Sequence, residues 1–284
     1  MSFHGNLETI SRRLILMDYT PFHNAPQQES KRFHHHHGNN IVLSDENTVA
    51  YRVRSFDGAS IYSNNPLAPG ELFLVEIEET ERGWSGHMRI GLTQTDPNTL
   101  EHGAQEFDEL NYPIGSAWTV GISRTQKISQ YFKKCNSEGS ECGDSIANKR
   151  FSYDSQSIRT CRGIIPRYFL KSSRARGAEL YPSDVGSRIG VLFVPTSENK
   201  ADMHIIINGE DEGPLSTDIP YKDSPVYVSI NLYGTTKKIR IIQLSCVPSL
   251  QAACRESILQ RVPKNMIHLL PLPSLLKNFL LFEV

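Results

Sequence analysis

The most strand-like segment of this 284-residue chain is Leu72-Phe73-Leu74-Val75-Glu76-Ile77-Glu78. Alternate residues of a strand point to opposite sides, so a strand that packs on one side only shows an alternating pattern. This segment is apolar on both faces instead. It therefore predicts a central strand of a β-sandwich.

Short apolar runs separated by turn residues continue on both sides of this segment. They cover residues 41–43, 49–53, 60–63, 87–93, 118–123, 188–194, 203–207, 226–232 and 238–244. Asn208-Gly209 predicts a hairpin, because both residues tolerate a positive φ. Strands do not alternate with helical patterns, which argues against a Rossmann or hydrolase architecture. The sequence therefore predicts a mainly β protein built as an antiparallel β-sandwich.

Composition narrows the class of protein. The formal charge is −1 and charged residues make up 21%, so neither a nucleic-acid nor a membrane partner is indicated. The apolar content of 38% is low and predicts long loops or a disordered end. Five irregularly spaced cysteines indicate reduced thiols rather than a disulfide framework. The apolar run at residues 14–17 is too short for a signal sequence, so a soluble, cytoplasmic protein is expected.

Three regions are predicted along the chain. Residues 1–30 lack periodicity and are expected to be disordered. Residues 31–247 hold the sandwich, interrupted by a long insert at about 124–187 that is rich in Ser, Arg and Gly and is expected to be partly disordered. Residues 248–284 form a small, leucine-rich helical tail.

The tail carries two helical patterns. Ser249 sits at an N-cap position before the first pattern, and Pro263 ends it. The first pattern places Leu250, Ala253, Cys254, Ser257 and Ile258 on one face, with Arg255 on a solvated flank. The second pattern places Leu272, Leu275, Leu276, Phe279 and Leu280 on one face. Two such short helices are marginal alone in water and need a surface to pack against.

Periodicity leaves several interpretations of the tail open. It favours a helical hairpin that packs on its own domain, but it does not separate this hairpin from a partner-binding helix. A membrane span is disfavoured, because Pro271, Pro273, Lys277 and Asn278 keep every apolar run short. An amphipathic membrane anchor is disfavoured by the few basic residues.

The tail resembles a SOCS box. Residues 249–258, SLQAACRESI, resemble the elongin-C-binding box, and Leu270-Pro271-Leu272-Pro273 resembles the LPxP cullin box that favours cullin-5. The resemblance implies that Leu250, Ala253, Cys254 and Ile258 bind elongin C, accompanied by elongin B. It also implies that residues 270–273 bind cullin-5 with its RING protein. Leu250, Cys254 and Ile258 follow the i, i+4, i+8 spacing of a helix in an apolar groove.

The β-rich region resembles a neuralized homology repeat, a sandwich similar to the SPRY type. The matching motifs keep the family's order over residues 31–243. They are Arg32-Phe33-His34, His37-Gly38, Asn40-Ile41, Asn65-Pro66-Leu67, Gly70-Glu71, Gly83-Trp84-Ser85-Gly86, Ile90-Gly91-Leu92-Thr93, Asp96-Pro97, Ile189-Gly190-Val191, Met203-His204, Asn208-Gly209-Glu210 and Leu232-Tyr233-Gly234. The insert at 124–187 departs from the family pattern. Together the two resemblances imply an adaptor that delivers a client to a cullin–RING ubiquitin ligase.

The sequence contains no catalytic motif that predicts an enzyme: a nucleophile elbow, a phosphate loop and a metalloprotease helix are all missing. The zinc-ligand clusters of a RING ligase are missing too, so the chain is expected to recruit ubiquitin chemistry rather than perform it. Neither a cofactor nor a metal is predicted. In the run of residues 34–37, HHHH, at most two imidazoles would share one face of a strand.

Client recognition is expected at loops on the rigid sandwich. Trp84 is the candidate aromatic anchor, although it could equally cap the core. Arg52, Arg54 and Arg89 are candidates for reading an acidic or polar peptide, against the alternative of a solvated strand face. Two other functions stay open besides the adaptor. One is a protein- or glycan-binding scaffold whose tail packs on its own domain, and the other is an enzyme.

Overall fold

The computed structural model describes residues 30–55, 57–83, 85–100, 116–124, 151–153, 156–172, 180–244, 254–255, 258–259 and 261–281. The predicted disordered segment 1–30 lies outside this set apart from its last residue, as does Trp84. Fourteen strands form within the described residues. They are β1 Ile41–Ser44, β2 Val49–Arg52, β3 Ser60–Tyr62, β4 Phe73–Thr80, β5 Arg89–Thr93, β6 Ala117–Gly121, β7 Ser152–Tyr153, β8 Ser157–Thr160, β9 Gly163–Pro166, β10 Arg188–Pro195, β11 Ala201–Ile207, β12 Glu210–Ile219, β13 Tyr227–Asn231 and β14 Thr236–Ile241.

The described strands form three sheets. The largest has seven strands in the order β1-β2-β14-β4-β10-β11-β12, and a second has four in the order β3-β13-β5-β6. Every pair of neighbouring strands that the structure describes is antiparallel. The prediction of a mainly β, antiparallel architecture is therefore confirmed.

The main core is built from residues of the seven-stranded and four-stranded sheets. Phe73, Val75 and Ile77 of β4 belong to it and are at most 2% exposed. Val228 and Ile230 of β13 belong to the same buried cluster. These side chains recur at every second residue of their strands, as the two-residue period of a strand requires.

A second core explains why residues 72–78 are apolar on both faces. Leu72 and Leu74 are buried in a separate cluster with Ile158 of β8 and Ile165 of β9. Strands β7, β8 and β9 form a three-stranded sheet that belongs to the insert. Within the described residues the insert contributes this sheet, which covers the outer side of β4.

The hairpin predicted at Asn208-Gly209 is present and joins β11 to β12. Asn208 has a φ of 50° and Gly209 a φ of 84°, the left-handed conformation that this turn needs. The Asn208 side chain accepts hydrogen bonds from the Arg188 amide at 2.9 Å and from the Ser187 hydroxyl at 3.1 Å. The turn is thereby tied to the beginning of β10.

A C-terminal helix, Ser274–Leu281, is preceded by a 3-10 helix at Lys264–Leu269. Two further 3-10 helices lie at Pro97–Thr99 and Arg167–Leu170. Within the described parts of the chain, helices long and apolar enough to cross a membrane are absent.

Candidate functional site

Two prolines precede the 3-10 helix and the C-terminal helix of the tail. Pro263 precedes the 3-10 helix, where its carbonyl accepts a hydrogen bond from the Met266 amide at 2.8 Å. Pro273 precedes the C-terminal helix, where its carbonyl accepts from the Leu276 and Lys277 amides at 3.0 and 3.1 Å. Proline suits these positions because the first amides of a helix have no internal partner. The segment after Pro263, expected to be a short link, is therefore helical.

The described part of the tail leaves much apolar surface exposed. Ile267 and Leu280 are buried, at 0% and 3% exposure. Leu275 is 82% exposed and Leu269 is 66% exposed, while Met266 and Leu276 are near half. On the predicted apolar face of the second helix, Leu275 and Leu276 are thus exposed, Leu272 and Phe279 are half-buried and Leu280 is buried. Exposed apolar clusters of this kind mark surfaces that a partner covers.

Arg255 holds the tail together. Its guanidinium donates from Nη2 to the Leu280 carbonyl at 2.7 Å and from Nε to the Phe279 carbonyl at 3.1 Å. These carbonyls lie in the last turn of the C-terminal helix, where a cation also interacts favourably with the helix dipole. Arg255 is only 6% exposed, so the prediction of a solvated flank was wrong for this residue. The periodicity of the first helical pattern does not reveal that backbone carbonyls of the C-terminal helix lie beside Arg255.

The elongin-C-binding candidates are only partly described. Cys254 and Ile258 lie in helical conformation, whereas Leu250 and Ala253 lie outside the described residues. Cys254 is an exposed free thiol and Ile258 is half-buried. Arg255 is buried in the tail, whereas its neighbour Cys254 is exposed. This exposure leaves Cys254 accessible to a partner.

The cullin-box candidates connect the 3-10 helix to the C-terminal helix. Pro271 and Pro273 are exposed, and Leu270 and Leu272 are half-buried. The Leu270 amide donates to Ile267 at 3.1 Å, and the Leu272 amide donates to the Leu270 carbonyl at 2.8 Å. This tight turn presents all four residues as one continuous segment.

Arg52 belongs to the sandwich interior and not to a client surface. Its side chain is fully buried and donates to the carbonyls of Gly234 and Arg54, each at 2.7 Å. The carboxylate of Glu81 lies 3.7 Å away. Burial lowers the pKa of Arg52 from its ordinary value, while Glu81 opposes this shift. The candidate role of Arg52 in peptide reading is therefore withdrawn, because the residue has no exposed surface.

The remaining client candidates lie at different depths. Arg54 is exposed just after β2, and Arg89 is half-buried at the start of β5. Trp84 lies outside the described residues, although the flanking Gly83 and Gly86 have φ values of 96° and 79°. These conformations fit the predicted glycine-rich turn.

The histidine run converges more closely than a strand would allow. The chain bends after Phe33, and nitrogens of His34, His35 and His36 lie within 4.8 Å of one another, which corrects the expectation that at most two could share a face. His34 accepts the His36 amide at Nδ1, at 3.0 Å, and its Nε2 lies 3.3 Å from Asn98 Oδ1. A neutral imidazole with these partners uses both nitrogens, so His34 offers no lone pair to a metal. The cluster instead joins this bend to the turn at residues 96–98.

Comparison with known proteins identifies both regions. A family model described as Neuralized matches residues 33–243, and one described as SOCS box matches residues 246–281. Neuralized-like protein 2 of Mus musculus is 36% identical over 276 residues, which cover 91% of this chain and 94% of the relative. The Homo sapiens protein of that name is 37% identical over 280 residues with the same coverage. In structure, the crystal structure of the Drosophila melanogaster neuralized-NHR1 domain superposes with a TM-score of 0.50 at 20% identity, covering 76% of this chain and 99% of that domain.

Proposed function

This chain belongs to the Neuralized family and carries a C-terminal SOCS box, and from this premise we propose that it is a substrate-adaptor subunit of a ubiquitin ligase. The observation that carries the proposal is the exposed apolar surface of the tail, which coincides with the SOCS-box match. A sandwich that closes its own cores and a tail that leaves leucines in solvent suit a protein that joins two partners. The chain itself is non-catalytic in this scheme.

The first tail segment binds elongin C, accompanied by elongin B. The exposed Cys254 and the half-buried Ile258 lie four residues apart, about one helical turn. Leu250 and Ala253 extend the same face in sequence. Insertion of this face into an apolar groove removes its side chains from water, and each fully buried aliphatic side chain contributes about 1.5–3 kcal/mol.

The segment at residues 270–273 binds cullin-5 with its RING protein. Its two prolines fix φ before binding, so the turn loses little conformational freedom when a partner docks. Leu275 and Leu269 flank the segment on both sides and are mostly exposed. Together they provide an apolar patch beside the motif.

The sandwich binds the client. Arg54, Arg89 and the turn that contains Trp84 form the candidate surface, and Arg52 supports it from inside through the hydrogen bond to the Arg54 carbonyl at 2.7 Å. Loops held by a closed sandwich keep their positions without help from the client.

Separation of the two tail contacts tests the proposal. Leu250→Ala with Cys254→Ala is expected to abolish capture of elongin B and C, because a few kcal/mol of apolar contact is lost. Replacement of residues 270–273 by alanines is expected to retain the elongins and to weaken cullin-5. Both variants keep the sandwich, so their thermal unfolding midpoints should match that of the unchanged chain. Equal loss of the elongins from both variants would contradict this division of the tail.

A further inference from the structure

An open cleft of about 640 Å³ lies in the insert, and its lining includes neither the tail motifs nor the candidate client residues. It is lined by β8, by the end of β9 and by the 3-10 helix that follows. Gln156, Arg159, Arg167, Tyr168 and Lys171 contribute side chains to its walls. None of the Neuralized-like motifs and none of the SOCS-box motifs falls here, so the proposed function leaves the cleft without a role.

The cleft is locally cationic in a chain that is nearly neutral. Residues 156–172 contain four basic residues and no aspartate or glutamate, whereas the whole chain has a formal charge of −1. Arg159 and Lys171 are exposed, and among the described residues neither makes an ion pair. Their charges are therefore directed to solvent at the cleft.

Arg167 fixes the wall of the cleft. It is 7% exposed, donates from Nε to the Gly209 carbonyl at 2.7 Å and pairs with Glu210. Its guanidinium also lies over the Tyr153 ring, 4.9 Å from the centroid. These contacts join the insert to the β11–β12 hairpin. The cleft is thus preformed, and a ligand would not bear the cost of ordering it.

The strand register places apolar surface beside the cations. Ile158 and Ile165 point inward to the second core, so the alternate residues of β8 and β9 point outward. Arg159 is paired across the strands with Ile164, which is 45% exposed, and Tyr168 is 68% exposed. The surface therefore offers positive charge and apolar contact within the reach of one short segment.

We propose that this cleft binds an extended acidic peptide segment that also carries apolar side chains. Charge complementarity selects the acidic residues, and Ile164 and Tyr168 select their apolar neighbours. A nucleic acid fits less well, because its affinity grows with the number of phosphates neutralised and only two exposed cations line the cleft. The inference rests on the proposed adaptor function only because the peptide would be part of a client protein.

The test uses the intact chain without elongins, so that peptide binding and ligase assembly are measured separately. The probe is a fluorescein-labelled peptide of three Asp-Ile-Glu-Ser repeats, followed by fluorescence anisotropy, with three Lys-Ile-Lys-Ser repeats as the charge-reversed comparison. The variant is Arg159→Glu with Lys171→Glu. The matched control is Lys200→Glu with Lys222→Glu, which reverses two exposed charges on the sandwich outside both the cleft and the candidate client surface.

We expect the acidic probe to bind and the lysine probe not to bind. The cleft variant should weaken the acidic probe by about tenfold or more, and the control by less than about twofold. Both double variants should keep the elongins and the thermal unfolding midpoint. Absence of acidic-probe binding, or equal losses in the two variants, would overturn the assignment. Tighter binding of an oligothymidine, lost in the cleft variant, would replace the peptide with a nucleic acid and would overturn it too.

Discussion

The sandwich buries its apolar residues, whereas the tail leaves several of its leucines exposed to solvent. In the sandwich, Leu74 and Phe193 are at most 1% exposed, because the seven-stranded sheet is covered on one side by the four-stranded sheet and on the other by the insert. In the tail, Leu275 is 82% exposed and Leu269 is 66% exposed. The chain completes the first region with its own residues and leaves the second for a partner.

The difference has a simple physical origin. A β-sandwich brings distant strands together, so a large apolar area leaves water when it folds. The C-terminal helix spans eight residues, which are too few to be stable on their own. It is stabilised by its own buried Leu280, by the buried Ile267 of the preceding 3-10 helix and by the hydrogen bonds from Arg255. A region of this kind gains most of its stability when another protein covers it.

The largest expected difference compares an apolar truncation in each region. Phe193→Ala should lower the free energy of unfolding by about 3–5 kcal/mol, because the cavity in the main core cannot collapse fully. Leu275→Ala should change it by less than about 0.5 kcal/mol, since the side chain is already in solvent. Urea denaturation measures both. Similar losses in the two variants would show that the tail packs on the sandwich and would break the comparison.

The next expected effect concerns the buried arginine of the sandwich. Arg52→Met should lower the free energy of unfolding by about 2–4 kcal/mol, because the carbonyls of Gly234, Thr236 and Arg54 lose a buried donor. Arg54→Met, two residues away and exposed, is the control and should be nearly neutral. Urea denaturation measures the free energy of unfolding of both variants. A neutral Arg52→Met would show that these buried hydrogen bonds do not stabilise the sandwich.

The buried arginine of the tail should have a smaller and more local effect. Arg255→Met removes two donors from the last turn of the C-terminal helix and should cost about 1–2 kcal/mol there. Hydrogen exchange of residues 274–281 should accelerate while exchange in the sandwich strands stays unchanged. Arg261→Met, exposed in the same tail, serves as the control. Unchanged exchange in residues 274–281 would contradict the capping role.

The smallest expected effect is a pH dependence that belongs to the sandwich. Burial, and then the neighbouring His35, lower the pKa of His34 below its ordinary value of 6.5. The unfolded chain then binds the proton first, so the stability that neutral His34 contributes is complete above pH 6.5 and is lost as the pH falls below this value toward the folded pKa. Unfolding in urea at neutral and mildly acidic pH measures the slope. His34→Gln should flatten it, and an unchanged slope would assign the effect to other groups.

Much of the sandwich could be predicted because its signals are local. The two-sided pattern of residues 72–78 and the turn at Asn208-Gly209 each depend on a few neighbouring residues. The prolines at 263 and 273 likewise mark helix boundaries in the tail without reference to the rest of the chain.

The missed features all depend on residues that are distant in sequence. Arg52 becomes a core residue only because the carbonyl of Gly234 arrives beside β2. Leu74 finds its cover in the insert, whose composition suggested loops. Arg255 meets the Leu280 carbonyl only after the tail folds back on itself. Local patterns in a single sequence carry no information about such long-range contacts.

The most direct test of the division between a self-sufficient sandwich and a partner-dependent tail is co-expression with elongin B and elongin C. Size-exclusion chromatography would then compare the intact chain with a chain truncated before Ser249. A stable ternary complex formed by the intact chain alone is expected, with the truncated chain eluting as a folded protein without elongins. A well-behaved intact monomer that captures neither elongin would contradict the division and favour a scaffold whose tail packs on its own domain.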